Sequence, residues 1–186
     1  GIDHIPTHHN NEIAQSESVT GETLANYWLH NGFVNVESGK MAKSEGNFIT
    51  MNTLVEKELY PLAYRYWLLQ ARYSTQVNFS WEALEAAQQA YIKLIKLWQT
   101  LPDGGTAVKK YIDEFISYIE DDLDTPKSIA LMWQILKDDS ISPENKKATV
   151  QEFDKVLGLN FDAIAKITMF TNKNANKLPI EIKALI

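Results

Sequence analysis

The chain has 186 residues, of which 45% are apolar and 23% charged, a composition typical of one large or two small globular domains. Its formal net charge of −6 argues against a broad basic face for nucleic acid and leaves room only for a confined basic patch. It contains no cysteine, which excludes disulfides and a thiolate metal site built from this chain alone. It lacks both a signal-peptide pattern and a run of about 18 apolar residues, so we expect a cytoplasmic protein with no membrane partner.

The N-terminal residues predict a strand end followed by a helix. Residues 1–7 combine a short apolar stretch with Pro6, a pattern typical of a buried strand that runs into a loop. From His8 the pattern becomes helical, and His8 and Glu12 stand four residues apart on one helix face. An imidazole beside a carboxylate is a workable pair of zinc ligands when other segments complete the site, although such a pair is also common on exposed helices.

The next segment predicts a helix and a strand. A helix is expected over 20–29, with Thr20 as its cap. The alternation of apolar and polar residues at 33–36 then indicates a short strand that leads into the segment 39–47. His30, between the two, is expected to act as a cap or to bond to the neighbouring loop.

The segment 39–47 carries two lysines three residues apart, Lys40 and Lys43, followed by Ser44 and Gly46. Lysines provide compact, rotatable charges, and the serine hydroxyl and nearby backbone amides add neutral donors. This combination suits a loop that closes over phosphate groups, and it is equally compatible with a solvated turn.

Helices dominate the remainder of the sequence from Thr53 onward. The spacing of Leu62, Tyr66, Leu69 and Tyr73 predicts a helix face that belongs to the core rather than to a nucleic-acid platform. Further helices are predicted over 81–100 with Ser80 as the cap, 107–120, 127–137, 144–157 with Gly158 as the C-cap, and, after a loop at 168–177, from 178 to 186.

The acidic run at 121–124 has the composition of a metal or acid–base cluster. We interpret it instead as a solvated helix junction, because acidic side chains near a helix N-terminus interact favourably with the helix dipole. Pro126 supports this interpretation, since proline suits the first turn of a helix.

Several segments resemble one family. Residues 40–44 read Lys-Met-Ala-Lys-Ser and resemble the KMSKS motif of class I aminoacyl-tRNA synthetases, with Ala42 where the first serine usually stands. Four further segments resemble the cysteinyl-tRNA synthetases of that class, so that the resemblance covers nearly the whole chain. They are residues 8–17, 27–33, 121–126 and 156–159.

The resemblance implies roles for particular residues. His8 and Glu12 match two zinc ligands, whose two cysteine partners lie upstream in the family, and His9 would line the same pocket or orient a ligand. A metal of this kind binds a substrate thiolate and rejects serine. Asp3, in Gly1-Ile2-Asp3, matches the residue that meets the ribose of ATP.

The resemblance also implies a role for the lysine segment, residues 39–47. Lys43 takes the catalytic role at the ATP phosphates, with Lys40 and Ser44 as helpers, because fixed cations stabilise the charge on departing pyrophosphate. Loss of one hydroxyl at Ala42 is expected to be tolerated, since the charges carry most of the effect.

The implied fold is mainly α. Residues 1–50 would be the C-terminal end of a Rossmann-like catalytic domain with the lysine loop, residues 51–100 stem-contact or connecting helices, and residues 101–186 a truncated helical bundle of the DALR-like, tRNA-binding type. The chain opens like the end of a buried strand, so we expect a fragment that lacks the N-terminal part of the enzyme and is inactive alone.

The implied activity is that of a cysteine–tRNA ligase, with ATP, cysteine and tRNA(Cys) as partners and zinc as the metal. Two alternatives stay open: a related ligase that joins cysteine to a sugar amine in mycothiol synthesis, and a non-catalytic helical module that binds tRNA or a partner protein.

Overall fold

The computed structural model describes residues 1–36 and 49–163. Over these ranges the chain is mostly helical, with one small parallel sheet. Within them, no helix is both long enough and apolar enough to span a bilayer. The predicted loop at 168–177 and the helix from 178 to 186 lie outside the described residues.

Residues 2–20 are helical throughout, so the strand end predicted for residues 1–7 is wrong. A 3-10 turn, Ile2–His4, continues into a π-helical turn, Ile5–His9, and then into helix α1, Asn10–Thr20. A strand needs a neighbour for its backbone groups, and the amide of Ile2 instead donates a hydrogen bond of 3.2 Å to the carbonyl of Asn31.

The helix predicted over 20–29 is also wrong. Helix α1 ends at Thr20 because Gly21 adopts a left-handed conformation with φ of 71° and donates to the carbonyl of Glu17. Thr20 therefore lies at a C-terminus, and its hydroxyl donates to the carbonyl of Ser16 at 2.9 Å. Residues 21–33 follow an irregular path.

Two short parallel strands lie next in space. Strand β1, Val34–Val36, confirms the prediction at 33–36, and it pairs with β2, Val77–Phe79, with Val34 opposite Val77. The connection between them includes α2, Met51–Glu56, and α3, Pro61–Leu69. A small apolar core of Leu54, Leu59, Phe79 and Leu84 packs against this sheet.

Four longer helices follow, close to the predicted positions: α4, Trp81–Gln99; α5, Lys109–Glu120; α6, Thr125–Lys137; and α7, Pro143–Leu157. The Ser80 hydroxyl caps α4 by accepting from the amide of Ala83 at 3.1 Å, and Gly158 ends α7 with φ of 62°. Both capping predictions are confirmed.

Helices α3 to α7 share the main core of the chain. Tyr66, Tyr91, Met132, Phe153 and Phe161 are among its largest buried side chains. Tyr66 is buried in this core and Leu62 and Leu69 pack against it, which confirms this part of the predicted face, whereas Tyr73 lies beyond the end of α3 and outside this core. Tyr111 and Phe115 of α5 are also buried in it. The N-terminal segment stands apart, because α1 buries none of its residues.

Candidate functional site

All four histidines of the chain lie together at its N-terminal end. His9 Nδ1 and His30 Nε2 are 2.8 Å apart, so one ring donates a hydrogen bond to the other. The ring of His4 lies 5.1 Å from that of His8 and 5.4 Å from that of His9, centroid to centroid. Trp28 completes this histidine cluster, with its ring 4.7 Å from that of His9 and stacked on that of His30.

The π-helical turn explains how His4 can contact both His8 and His9. In a π-helix the backbone bonds join residues five apart, so one turn holds more residues than an α-helical turn and brings positions four and five apart to the same side. Such turns occur frequently at functional sites. The wide turn at Ile5–His9 therefore brings His9 as well as His8 beside His4, whereas a regular α-helix would favour only the spacing of four.

His8 and Glu12 are the predicted zinc ligands, and both are exposed. Imidazole and carboxylate groups are ordinary zinc donors. Within the described part of the chain, neither side chain forms a hydrogen bond or an ion pair. A structural zinc usually takes four ligands, and the described ranges contain no group of three acidic, histidine or cysteine side chains that could hold a metal. The donor types fit zinc, and the described part of the chain does not complete the site.

His9 and His30 differ from His8 in that both are half-buried and paired. The second nitrogen of a metal-binding or substrate-facing histidine is commonly fixed by a hydrogen-bond partner. His30 provides that partner for His9, from 21 residues further along the chain. His30 therefore bonds to a ring rather than to the neighbouring loop.

Asp3, the predicted ribose contact, lies in the 3-10 turn with 52% of its side chain exposed. Its carboxylate is 3.6 Å from Nε2 of His4. Exposed pairs at such distances contribute little to stability, so they leave this carboxylate available to a ligand. The lysine segment with Lys40, Lys43 and Ser44 lies outside the described residues.

Gly32 joins the histidine cluster to the rest of the fold. It is buried, and its amide donates a hydrogen bond of 2.7 Å to the carbonyl of Tyr73. A Cβ atom at this position would lie 2.5 Å from the carbonyl oxygen of Thr75, so only glycine allows this approach. Sequence reasoning missed Gly32 and the grouping of Trp28 with the histidines, although an Asn-Gly pair signals a tight backbone path.

The acidic run at 121–124 differs from the solvated junction predicted, because Asp124 is only 2% exposed. Asp124 is the N-cap of α6 and accepts from the amide of Lys127 at 3.4 Å. Its carboxylate also pairs with the guanidinium of Arg72 and with Nζ of Lys127 at 2.9 Å. The predicted helix junction and the first-turn Pro126 are confirmed.

The charge of Asp124 is compensated at close range. Burial alone would raise the pKa of this carboxyl, but the hydrogen bonds from Lys127 and Arg72 outweigh burial and hold its pKa below the usual value. The paired lysine and arginine occupy the positions around this carboxylate where a metal ion would have to bind. The run is therefore part of the structural framework.

Comparisons with known proteins agree on one family. Residues 1–89 match the model for the catalytic domain of class I (C) tRNA synthetases. Cysteine–tRNA ligase 1 of Burkholderia lata is 42% identical over 160 residues, which cover 86% of this chain and 34% of that protein. The cysteine–tRNA ligase of Treponema denticola is 35% identical over 185 residues, covering 86% of this chain and 38% of the relative.

The cysteine–tRNA ligase of Trichodesmium erythraeum is 33% identical over an alignment that covers this whole chain and 44% of the relative. The chain thus spans between 34% and 44% of the length of these three curated relatives. The similarity extends beyond residue 89 and includes the helical part of the fold.

Proposed function

We propose that this chain, which belongs to the class I cysteinyl-tRNA synthetase family, forms part of a cysteine–tRNA ligase in the cytoplasm. The enzyme would activate cysteine with ATP to cysteinyl-adenylate, release pyrophosphate, and pass the cysteinyl group to tRNA(Cys). The observation that carries the proposal is the identity of 42% to a protein named for this activity, over 86% of the chain. His8 and Glu12, whose side chains are of types that bind zinc, are consistent with this proposal.

His8 and Glu12 would supply half of a zinc site. Both side chains are exposed, and neither forms a hydrogen bond or an ion pair within the described residues, which supports this role. Bound zinc would favour a substrate thiol, which binds it as thiolate, over the hydroxyl of serine. Hydrophobic contacts alone discriminate such similar substrates by only about 1–3 kcal/mol, so metal ligation is the stronger selector. His9, held by His30, would line the same pocket.

The ATP site would draw on Asp3 and on the lysine segment. The half-exposed carboxylate of Asp3 can accept hydrogen bonds from ribose hydroxyl groups. Lys43 would stabilise the negative charge that develops as pyrophosphate departs, with Lys40 and Ser44 as additional donors. Cations placed in advance do this better than water, because they need no reorganisation during the reaction.

The proposed organisation assigns residues 1–50 to the end of the catalytic domain, residues 51–100 to the connecting helices, and residues 101–186 to a helical bundle that packs along tRNA. Together these segments span only 34–44% of the length of the three curated relatives. We therefore expect catalysis to require the longer protein of which this chain is a part.

The test is Lys43→Ala in that longer protein. Adenylate formation, followed by cysteine-dependent exchange of pyrophosphate into ATP, is expected to slow by roughly 100-fold, while cysteine binding changes little. Lys93→Ala, an exposed lysine of α4, is the matched control and should change the rate less than about twofold. An unchanged rate in Lys43→Ala would remove this lysine from the mechanism. Ligation to a sugar amine, or tight tRNA binding without any adenylation, would contradict the proposed activity.

A further inference from the structure

The junction between α5 and α6 has a strained backbone. Asp122 and Leu123 both have positive φ angles, 53° and 55°, which residues other than glycine rarely adopt. A β-carbon makes this conformation costly, and such strain persists only where surrounding contacts fix it. Here the strained turn delivers Asp124 into a buried position at the start of α6.

Contacts from this junction hold the segment that follows α3. The Asp124 carboxylate pairs with Arg72, and the hydroxyl of Tyr73 donates to Oδ1 of Asp122 at 2.7 Å. The Thr125 hydroxyl adds a longer hydrogen bond of 3.4 Å to the carbonyl of Ala71. The three consecutive residues 71–73 are thus each bonded to the α5–α6 junction, which lies about fifty positions later in the sequence.

The same segment holds Gly32 on its other side. The Tyr73 carbonyl accepts the Gly32 amide at 2.7 Å, and Thr75 packs so closely on Gly32 that no β-carbon fits. The amide of Val77 donates the next hydrogen bond, of 3.0 Å, to the carbonyl of Phe33. The parallel sheet begins at the following pair, Val34 and Val77. Gly32 therefore lies directly against residues that the α5–α6 junction fixes.

Gly32 in turn lies two residues from the histidine cluster. His30 bonds to His9 at 2.8 Å, and the carbonyl of Asn31 accepts the amide of Ile2 at 3.2 Å. Since α1 buries no residue, these bonds around Gly32 are a main attachment of the cluster to the described fold. A shift of Gly32 would move His30, and His9 would move with it.

We propose that Asp124 is a positioning residue for the histidine cluster, acting through Arg72, Tyr73 and Gly32. This inference rests on the proposed function, because the cluster matters to catalysis only if it forms the cysteine site. Asp124 itself touches no histidine. Its role is to hold the segment after α3 in place, which connects the helices that would face tRNA to the residues that would meet cysteine.

The first experiment measures hydrogen exchange of the Gly32 amide by NMR in this chain. Asp124→Asn retains an N-cap side chain, since asparagine caps helices as well as aspartate does, and removes the charge that holds Arg72. The matched control is Asp121→Asn, which removes a carboxylate that is 63% exposed and 3.6 Å from the same arginine. The amide of Leu94, in the core of α4, reports global opening.

We expect Gly32 to exchange about tenfold faster in Asp124→Asn, beyond any change at Leu94, because Arg72 loses its ion pair with a buried carboxylate and the segment that it holds can open locally. The ring signals of His9 and His30 should shift in the same variant and stay in place in Asp121→Asn. Unchanged Gly32 exchange, or a change equal to that of Leu94, would overturn the inference. If Asp124→Asn does not fold, Arg72→Gln removes the other partner of the ion pair. The same faster exchange at Gly32 is expected for that variant, and its absence would overturn the inference.

The second experiment uses the longer, active protein. Asp124→Asn should raise KM for cysteine about fivefold or more in pyrophosphate exchange and change kcat less, because displaced groups weaken positioning of the substrate. A purely structural role would lower the active fraction, and hence kcat, without changing KM. Faster Gly32 exchange without any cysteine activation would refute the proposed function and leave the coupling intact. Normal activation with unchanged Gly32 exchange would refute only the coupling.

Discussion

Replacement of Asp154 by alanine should strongly destabilise the fold. One oxygen of this carboxylate accepts from the amides of Leu159 at 2.6 Å and Asn160 at 3.0 Å, and the other accepts from the amide of Phe161 at 2.9 Å. These bonds hold the turn that follows α7, in which Leu159 and Phe161 are 0% and 1% exposed.

The magnitude follows from which amides can recover a partner. The Asn160 residue is exposed, so water can replace the lost bond to its amide. The other two amides belong to buried residues, and each hydrogen bond to a charged group contributes about 1.5 kcal/mol or more. We therefore expect a loss of about 3 kcal/mol in the free energy of unfolding, which lowers Tm by roughly 6–12 °C for a chain of this size.

Urea unfolding provides the assay, followed by tryptophan fluorescence, since the ring of Trp98 lies 5.7 Å from that of Phe161. Asp154→Asn keeps one acceptor oxygen and should lose less than the alanine variant. Glu152→Ala removes only an exposed ion pair with Lys155 and should change stability by less than about 0.5 kcal/mol. Asp154→Ala within that same range would refute the argument.

Two further predictions concern the core and the metal donors. Burial raises the pKa of Tyr91, whose hydroxyl donates to the carbonyl of Leu159 at 2.6 Å, so the unfolded chain ionises first and stability should fall as pH rises above about 10. Tyr91→Phe should make the free energy of unfolding fall less steeply at alkaline pH and should lower it by about 1–2 kcal/mol at pH 7. Urea titrations that show an equally steep fall in the variant would contradict this prediction. His8→Ala should remove zinc and discrimination against serine from the longer protein, whereas Gln15→Ala, in the adjoining helix α1, should change neither. Full zinc content in His8→Ala would refute the ligand assignment.

Local signals in the sequence predicted the helices well. Ser80 and Gly158 act on their own neighbours, so the ends that they cap could be identified without knowledge of the fold. Gly21 carried a similar signal, and the prediction of a helix over 20–29 was wrong because Thr20 was interpreted as the start of a helix rather than the end of one.

Long-range contacts could not be predicted in this way. The burial of Asp124 depends on Arg72, 52 residues earlier, and strand β2 exists only through its pairing with β1. The same applies to the histidine cluster, in which His30 meets His9 across 21 residues. His8 and Glu12 could be proposed as ligands from their spacing and from the family resemblance, but the grouping around them depends on the folded chain.

The most direct test of the central claim is cysteine-dependent exchange of pyrophosphate into ATP, measured for this chain and for the longer protein that contains it. We predict exchange that requires cysteine, rejects serine, and occurs only in the longer protein. Exchange by this chain alone would contradict the claim that its residues form only part of the site. No exchange by either protein would contradict the proposed activity itself.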